Sequence, residues 1–125
     1  MAAQGSLEKL GLPQDRTRGE SRPGTPTIFV TGSAQARPET LNEMLKISVE
    51  HVHLSRLEPG CIFHAVSQDV EDKLRLVFVE KWVDQAAIKA HFAVPESRAF
   101  GKALIKLAAL PPQMEVFEAQ PVPFA

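Results

Sequence analysis

The sequence LRLVFVEKWVDQAAIKAHF, residues 74–92, joins the clearest strand pattern of the chain to the clearest helix start. Side chains alternate between the two faces of a strand, which gives two sets: Leu74, Leu76, Phe78, Glu80 and Trp82 on one face, and Val77, Val79 and Val83 on the other. A strand that is largely apolar on both faces needs a cover on both sides. We expect helices to cover the first face and a second copy of the chain to cover the other.

The helix that follows this strand has its own start and stop signals. Asp84 suits the N-cap position, because its carboxylate can accept a hydrogen bond from the first turn and lies at the positive end of the helix dipole. The helix is expected to run through Ala93 and to end near Val94, because Pro95 follows. It must then fold back over the strand that precedes it.

Patterns on either side of this segment predict the remaining elements: helices over residues 38–57 and 96–110, and strands over residues 27–35, 61–68 and 113–119. The order is strand, helix, strand, strand, two helices, strand. This is the order of a ferredoxin-like α+β sandwich (βαββαβ). We therefore expect an antiparallel sheet with helices on one face and a dimer contact on the other.

The length and the charge of the chain limit its class. With 125 residues, 14 basic and 15 acidic side chains and a net charge of −1, it is expected to form one domain that does not bind nucleic acid. Residues 27–119 are the predicted domain. Residues 1–26 are rich in glycine, proline and charge and are a predicted flexible tail, and residues 120–125 are a short C-terminal tail.

The sequence also carries no sign of secretion or of a membrane helix. Cys61 is the single cysteine, so no disulfide can form within the chain. No apolar run reaches the length of about 18 residues that a membrane helix needs, and the N-terminus has no apolar signal core. A cytoplasmic protein without a membrane partner is predicted.

Three segments resemble a known family: SRLEPGCIFHAV at residues 55–66, FVEKWVDQAAIKAHF at residues 78–92 and SRAFGKAL at residues 97–104. Together they resemble the antibiotic biosynthesis monooxygenase family, including its small quinol monooxygenase-like members. The resemblance covers about residues 27–119. It implies a ferredoxin-like homodimer whose sheets pack face to face, with a pocket between the sheet and the helices of each protomer. It also implies, for some members, oxygenation of aromatic polyols by dioxygen without metal or flavin.

Two histidines are the candidate catalytic residues of that pocket. His91 is the preferred general base, because an imidazole titrates near neutral pH and can take a proton from a phenol. The alternative for His91 is a hydrogen bond to the backbone or to solvent. His64 stands on an inward strand position that is usually bulky and apolar in the family. It either lines the cavity as a competing base or forms a hydrogen bond with a neighbouring buried polar group.

The predicted substrate-binding residues are Trp82, Glu80, Phe78 and Phe100. Trp82 offers a flat wall for an aromatic substrate, although it can equally fill the core near the end of its strand. Glu80 shares that face, and anchoring a helix or loop is favoured for it over acid–base chemistry. Alternation along the two strands places Glu80, Trp82 and His64 on the inner face of the sheet. The helix that carries His91 must fold back over this face, so these four residues are expected to surround one pocket.

No metal ligands and no cofactor are predicted. His51 and His53 lie two positions apart on the predicted first helix, so they cannot share a face, and both are expected on the surface. The four histidines are scattered along the sequence without the spacing of a metal motif.

Two functions from different classes remain open. The first is a cofactor-independent monooxygenase of a quinol or related aromatic polyol, in which the protein supplies binding, deprotonation and a dry site for the reaction with dioxygen. The alternative is a dimeric small-ligand-binding or stress-associated protein of the same fold without turnover. Haem degradation is weaker, because the relatives that perform it rely on an asparagine in the first strand, and residues 27–35 contain none.

Overall fold

The computed structural model describes residues 26–124. Their elements follow in this order: β1 (Thr27–Gln35), α1 (Leu41–Ser55), β2 (Cys61–Gln68), β3 (Arg75–Trp82), α2 (Gln85–Ala93), α3 (Pro95–Leu107) and β4 (Gln113–Ala119). The ferredoxin-like α+β fold predicted from the sequence is confirmed, and β1, β2 and β4 have the predicted bounds. The tail predicted over residues 1–26 lies outside the described residues except for Pro26.

The four strands form one antiparallel sheet in the order β2-β3-β1-β4. Glu80 in β3 is directly opposite Val30 of β1 and His64 of β2. Residues that are directly opposed on neighbouring strands point to the same face of the sheet. The register therefore places His64 and Glu80 side by side, on the face that the helices cover.

The helices bury one face of β3. Leu76, Phe78 and Trp82 are at most 7 % exposed, and they pack into two apolar clusters with side chains from β1 and all three helices. Glu80 lies on the same face, so its carboxylate is a polar group inside an apolar layer. Within residues 26–124, none of the helices combines the length and the apolar character needed to cross a lipid bilayer.

Asp84 caps α2 as the sequence predicts, whereas α1 begins later and α3 ends earlier than predicted. The Asp84 carboxylate accepts a hydrogen bond from the backbone N–H of Ala87 at 2.9 Å, as an N-cap should. The predicted helix 38–57 begins only at Leu41, because residues before it form a turn. The last helix ends at Leu107, because Ala108 is extended and pairs with Ala36 beyond the end of β1.

The opposite face of the sheet, called here the open face, carries alternate residues of all four strands. Its apolar members are Phe29, Phe63, Ala65, Val77, Val79 and Phe117, and its polar members include Thr31, Lys81 and Glu115. Phe63 and Phe117 are 49 % and 43 % exposed. Val83 does not belong to this face, contrary to strict alternation, because it lies past the end of β3 and is buried, with its N–H bonded to the Gly60 carbonyl at 2.9 Å. The predicted dimer contact through this face stays a prediction.

Gly60 makes the tight turn between α1 and β2 possible. Its φ is +84°, and a Cβ atom at this position would lie 2.6 Å from Ala87 Cβ and 3.0 Å from Val83 Cγ2. Gly60→Ala is therefore expected to lower the free energy of unfolding by about 2–4 kcal/mol, through backbone strain and overpacking.

Urea unfolding followed by circular dichroism measures this loss. Gly101→Ala is the matched control, because Gly101 is helical and has no atom within 4 Å of an added Cβ. The control is expected to leave stability unchanged or to raise it by up to about 1 kcal/mol. Equal stability of the Gly60→Ala variant and the parent would contradict the strain assigned to this turn.

Candidate active site

A cavity of about 460 Å³ lies between the sheet and the helices. Its wall is mostly apolar and is formed by side chains from the sheet, α2, α3 and the segment before β4: Val30, Phe78, Phe92, Phe100, Leu104, Ile105, Pro111, Pro112 and Met114. A few polar side chains interrupt this wall, chiefly Glu80, His51, His91 and Ser97. A concave apolar site of this volume with a few polar groups suits a small aromatic molecule.

Three imidazoles from three different elements meet beside the cavity, and two of them line it. His51 comes from α1, His64 from β2 and His91 from α2. Their ring centroids are 5.2 Å (His51 to His64), 5.4 Å (His51 to His91) and 5.6 Å (His64 to His91) apart. All three are at most 8 % exposed. We call these three residues the histidine cluster.

The carboxylate of Glu80 lies against this cluster. The indole N–H of Trp82 donates a hydrogen bond to Glu80 Oε1 at 2.9 Å. Glu80 Oε2 is 3.4 Å from His64 Nε2, and Glu80 Oε1 is 4.0 Å from His91 Nε2. Burial raises the pKa of Glu80, against the lowering effects of the Trp82 donor and of His91. Trp82 thus holds the Glu80 side chain at the histidines.

His91 has a defined orientation because a second carboxylate holds its ring. His91 Nδ1 is 2.9 Å from Oε1 of Glu58, which belongs to the turn after α1. An ionised carboxylate only accepts hydrogen bonds, so Nδ1 carries the proton and donates it to Glu58. The lone pair of neutral His91 is then on Nε2, on the side of Glu80. The ring also packs against Trp82, with centroids 4.6 Å apart.

His64 is buried without a hydrogen bond to its side chain. It is 1 % exposed, and neither ring nitrogen has a hydrogen-bond partner, since the 3.4 Å contact with Glu80 lacks hydrogen-bond geometry. His51 stacks flat on Phe100, with centroids 4.0 Å and planes 6° apart. Burial, together with the neighbouring histidines, lowers the pKa of His51 to about 4 and that of His64 to about 3. Both rings are therefore neutral at physiological pH.

Four of the six predicted site residues line the cavity, and two do not. Those that line the cavity are His91, Glu80, Phe78 and Phe100. His64 and Trp82 lie behind this wall and do not line the cavity: Trp82 is fully buried and holds Glu80, while His64 touches Glu80 from the neighbouring strand. The predicted roles of all six in catalysis and binding stay predictions.

Two residues of the site were not predicted. The surface position predicted for His51 is wrong, whereas His53 is exposed as expected. The helical period carried the signal, because His51 follows Met44 by seven positions and Ser48 by three, and both of those are on the buried stripe of α1. Glu58 was missed because its contact with His91 spans 33 positions of sequence, which no local pattern records.

The histidine cluster predicts a loss of stability in mild acid. The pKa values of His51 and His64 in the folded protein lie below the value of about 6.5 for an unfolded chain, so the unfolded chain binds protons first as the pH falls. Their contribution to stability is complete above about pH 6.5 and is lost progressively toward pH 4 and then pH 3. Glu80, with its raised pKa, acts in the opposite direction and offsets part of the loss.

From pH 7 to pH 5 the free energy of unfolding is expected to fall by about 2–4 kcal/mol. Urea unfolding at the two pH values, in buffer with a chelator so that no metal ion competes with protons, measures this change. His51→Phe keeps the stacking on Phe100 and is expected to remove about half of the fall. A parent protein that is equally stable at both pH values would show that these imidazoles are not held neutral by burial.

Comparisons with known proteins agree with this fold. The family model described as antibiotic biosynthesis monooxygenase matches residues 27–103. An uncharacterised protein of Synechocystis sp. is 26 % identical over 107 residues, which are 86 % of this chain and 73 % of that protein.

Solved structures give the same result at lower identity. A Deinococcus radiodurans protein named as a candidate antibiotic biosynthesis monooxygenase superposes with a TM-score of 0.74 at 22 % identity, covering 78 % of this chain and 97 % of that one. A conserved protein of Methanosarcina mazei has a TM-score of 0.72 at 20 % identity, covering 77 % and 95 %. These two likenesses concern the fold, whereas the family model matches the sequence itself over more than half of its length. The chain belongs to the antibiotic biosynthesis monooxygenase family.

Proposed function

We propose that the protein oxygenates a quinol or related aromatic polyol with dioxygen, using no flavin or metal in the reaction. The observation that carries the proposal is the pair formed by Glu58 and His91 at the wall of an apolar cavity. A base that is oriented by a carboxylate and faces an aromatic-sized cavity is the arrangement that proton abstraction from a bound phenol requires.

The chemistry assigns one task to His91. Its Nε2 atom takes the phenolic proton, and the electron-rich anion passes an electron to dioxygen. The two radicals then combine to form a carbon–oxygen bond. For a phenol whose keto tautomer has a CH2 carbon, the new bond forms at this carbon, and the peroxide anion takes the proton back from His91. The remaining C–H bond and the O–O bond then break: the carbon becomes a carbonyl, and its hydrogen leaves as a proton that joins the departing hydroxide as water. All four electrons that reduce dioxygen come from the substrate.

The remaining walls have binding and water-excluding roles in this proposal. Phe78 and Phe100 supply apolar contact area, and the edge-to-face contact between them, with centroids 6.0 Å apart, fixes their relative position. Glu80 lies in the cavity wall, 4.0 Å from the Nε2 atom of His91, where its carboxyl group can form a hydrogen bond with a hydroxyl group of the substrate. Trp82 acts through Glu80 rather than on the substrate.

We also propose that the protein acts as a homodimer. On the open face Phe63 and Phe117 are exposed and Val77 and Val79 are half-buried, so apolar side chains of β2, β3 and β4 face the solvent on this side of the sheet. The helices cover the other face, and the described residues 26–124 contain no further layer for this one. A second copy of the chain, packed sheet to sheet at about 10 Å, is the cover that a small single-layered domain of this kind can use.

Oxygen uptake separates the proposed oxygenase from the non-catalytic alternative. Chelator-treated protein is mixed with a panel of quinols and anthrone-type phenols in an oxygen electrode, and thermal unfolding is followed with the same compounds. The proposal expects at least one compound to stabilise the protein and to consume oxygen at a rate proportional to protein concentration. Compounds that stabilise the protein to saturation without any oxygen uptake would favour the binding protein instead.

A further inference from the structure

We propose that the histidine cluster binds one divalent transition-metal ion, with His51, His64 and His91 as its ligands. This goes beyond the proposed oxygenation and does not rest on it, since that reaction uses no metal. The proposal rests on the geometry of the three rings, on the unpartnered nitrogens of His64 and on the two carboxylates around them.

The spacing of the rings is that of a metal site. Three imidazoles bound to one tetrahedral ion at about 2.0–2.1 Å have ring centroids about 5.2 Å apart. The observed separations of 5.2, 5.4 and 5.6 Å come close to this value on all three sides. One nitrogen from each ring lies within 4.8 Å of the others, against about 3.3 Å on a tetrahedral ion, so small side-chain rotations complete the site.

His64 supplies the observation that points to a ligand. Its side chain has no exposed surface, and both ring nitrogens lack a hydrogen-bond partner. A buried polar group without a partner is costly and calls for an explanation. The fold holds this ring edge-on to His51, 5.2 Å away, and beside Glu80. An ion shared with His51 and His91 gives one of these nitrogens a partner.

The carboxylates complete the environment of such an ion. A metal-bound histidine usually donates its other ring N–H to a carboxylate, and the 2.9 Å contact from His91 Nδ1 to Glu58 has this form. Glu80 lies 3.4 Å from His64 Nε2 and 4.0 Å from His91 Nε2, where it can act as a fourth ligand or bond a metal-bound water. His51, His91 and Glu80 line the cavity, which gives the ion an entry path.

The donor set selects the kind of ion. Three imidazoles and one carboxylate suit Zn²⁺, Co²⁺, Ni²⁺, Cu²⁺ or Fe²⁺ and not Mg²⁺ or Ca²⁺, which prefer oxygen ligands. His91 Nε2 is also the proposed base, so an ion and a phenolic proton compete for the same lone pair. Zn²⁺ is therefore expected to inhibit the metal-free oxygenation.

Cobalt titration of the full-length, chelator-treated protein tests the site. Co²⁺ is expected to give the intense visible absorption of a tetrahedral complex, saturating at one ion per chain, and Zn²⁺ is expected to displace it. Mg²⁺, which prefers oxygen ligands, is expected not to displace the bound Co²⁺. His51→Phe and His64→Leu are each expected to weaken Zn²⁺ binding by at least about 100-fold, and Glu58→Gln by about 10-fold.

The control is His53→Ala, which removes an exposed histidine two positions from His51 and should leave metal affinity unchanged. Glu58→Gln keeps a hydrogen-bond acceptor for His91 and serves as the readout if a cluster variant fails to fold. The proposal is overturned if Co²⁺ gives no visible absorption, or if Zn²⁺ binding persists in the folded His64→Leu protein. Metal binding is measured in the absence of substrate, and oxygenation is measured in the presence of a chelator. A negative result in one experiment therefore leaves the other proposal unaffected.

Discussion

Replacing His91 with alanine is expected to lower kcat for oxygenation by roughly 100- to 10,000-fold, the range over which general-base catalysis contributes. The reason is the orientation of its ring: Nδ1–H donates a hydrogen bond to Glu58, with 2.9 Å between nitrogen and oxygen, which leaves the lone pair on Nε2, near Glu80 in the cavity wall. The apolar wall around the substrate is retained, so KM is expected to change much less than kcat. Steady-state oxygen uptake at saturating substrate measures the effect.

Two further variants make this result interpretable. His64→Ala is expected to lower the rate less, because His64 is the competing candidate base but lies behind the cavity wall. His53→Ala changes an exposed histidine on α1 and should keep the parent rate. If His91→Ala and His64→Ala both fold normally and stay within about threefold of the parent rate, histidine base catalysis has to be abandoned in favour of a binding role for the cavity.

Val79→Glu is expected to dissociate the homodimer. Val79 lies near the middle of the open face, in the row formed with Ala65, Thr31 and Glu115 on the neighbouring strands. In a sheet-to-sheet dimer the new carboxylate would be buried without a partner, at a cost of about 3–5 kcal/mol. On the surface of a monomer the same change would cost little. Sedimentation velocity over a range of protein concentrations separates the two cases.

Val49→Glu is the matched control for that experiment. Val49 is a valine on the outer side of α1 with 42 % exposure, remote from the open face. It is expected to sediment as the parent does. A parent protein that sediments as a monomer at micromolar concentration, or a Val79→Glu variant that stays dimeric, would refute sheet-to-sheet dimerisation.

The fold could be predicted from the sequence because its signals are local. Alternation fixed the two faces of β3, and Asp84 and Pro95 marked the ends of α2 within a residue. The predicted element boundaries are wrong where a contact with a distant segment outweighs the local sequence signal. Ala108, for example, leaves the helical pattern to pair with Ala36 at the end of β1.

The site could be predicted only in part, because its geometry depends on contacts between distant segments. Cross-strand alternation was enough to place Glu80 next to His64. The Glu58 contact with His91 and the meeting of His51 with both other histidines depend on how α1 and α2 pack over the sheet. The spacing of histidines along the sequence gave no sign of the histidine cluster, because His51, His64 and His91 come from three elements and lie 13 and 27 positions apart. The helical period of α1, applied to His51, would have placed it in the interior.

The central claim is that the protein inserts oxygen from dioxygen into an aromatic substrate bound in the cavity. Single-turnover reaction under ¹⁸O₂ in ordinary water, with chelator present, followed by mass spectrometry of the product, tests it most directly. One ¹⁸O atom is expected in the new carbonyl group of the product and the other in water. A product that contains no ¹⁸O, with hydrogen peroxide released in equal amount, would show a two-electron oxidation of the substrate and contradict the claim.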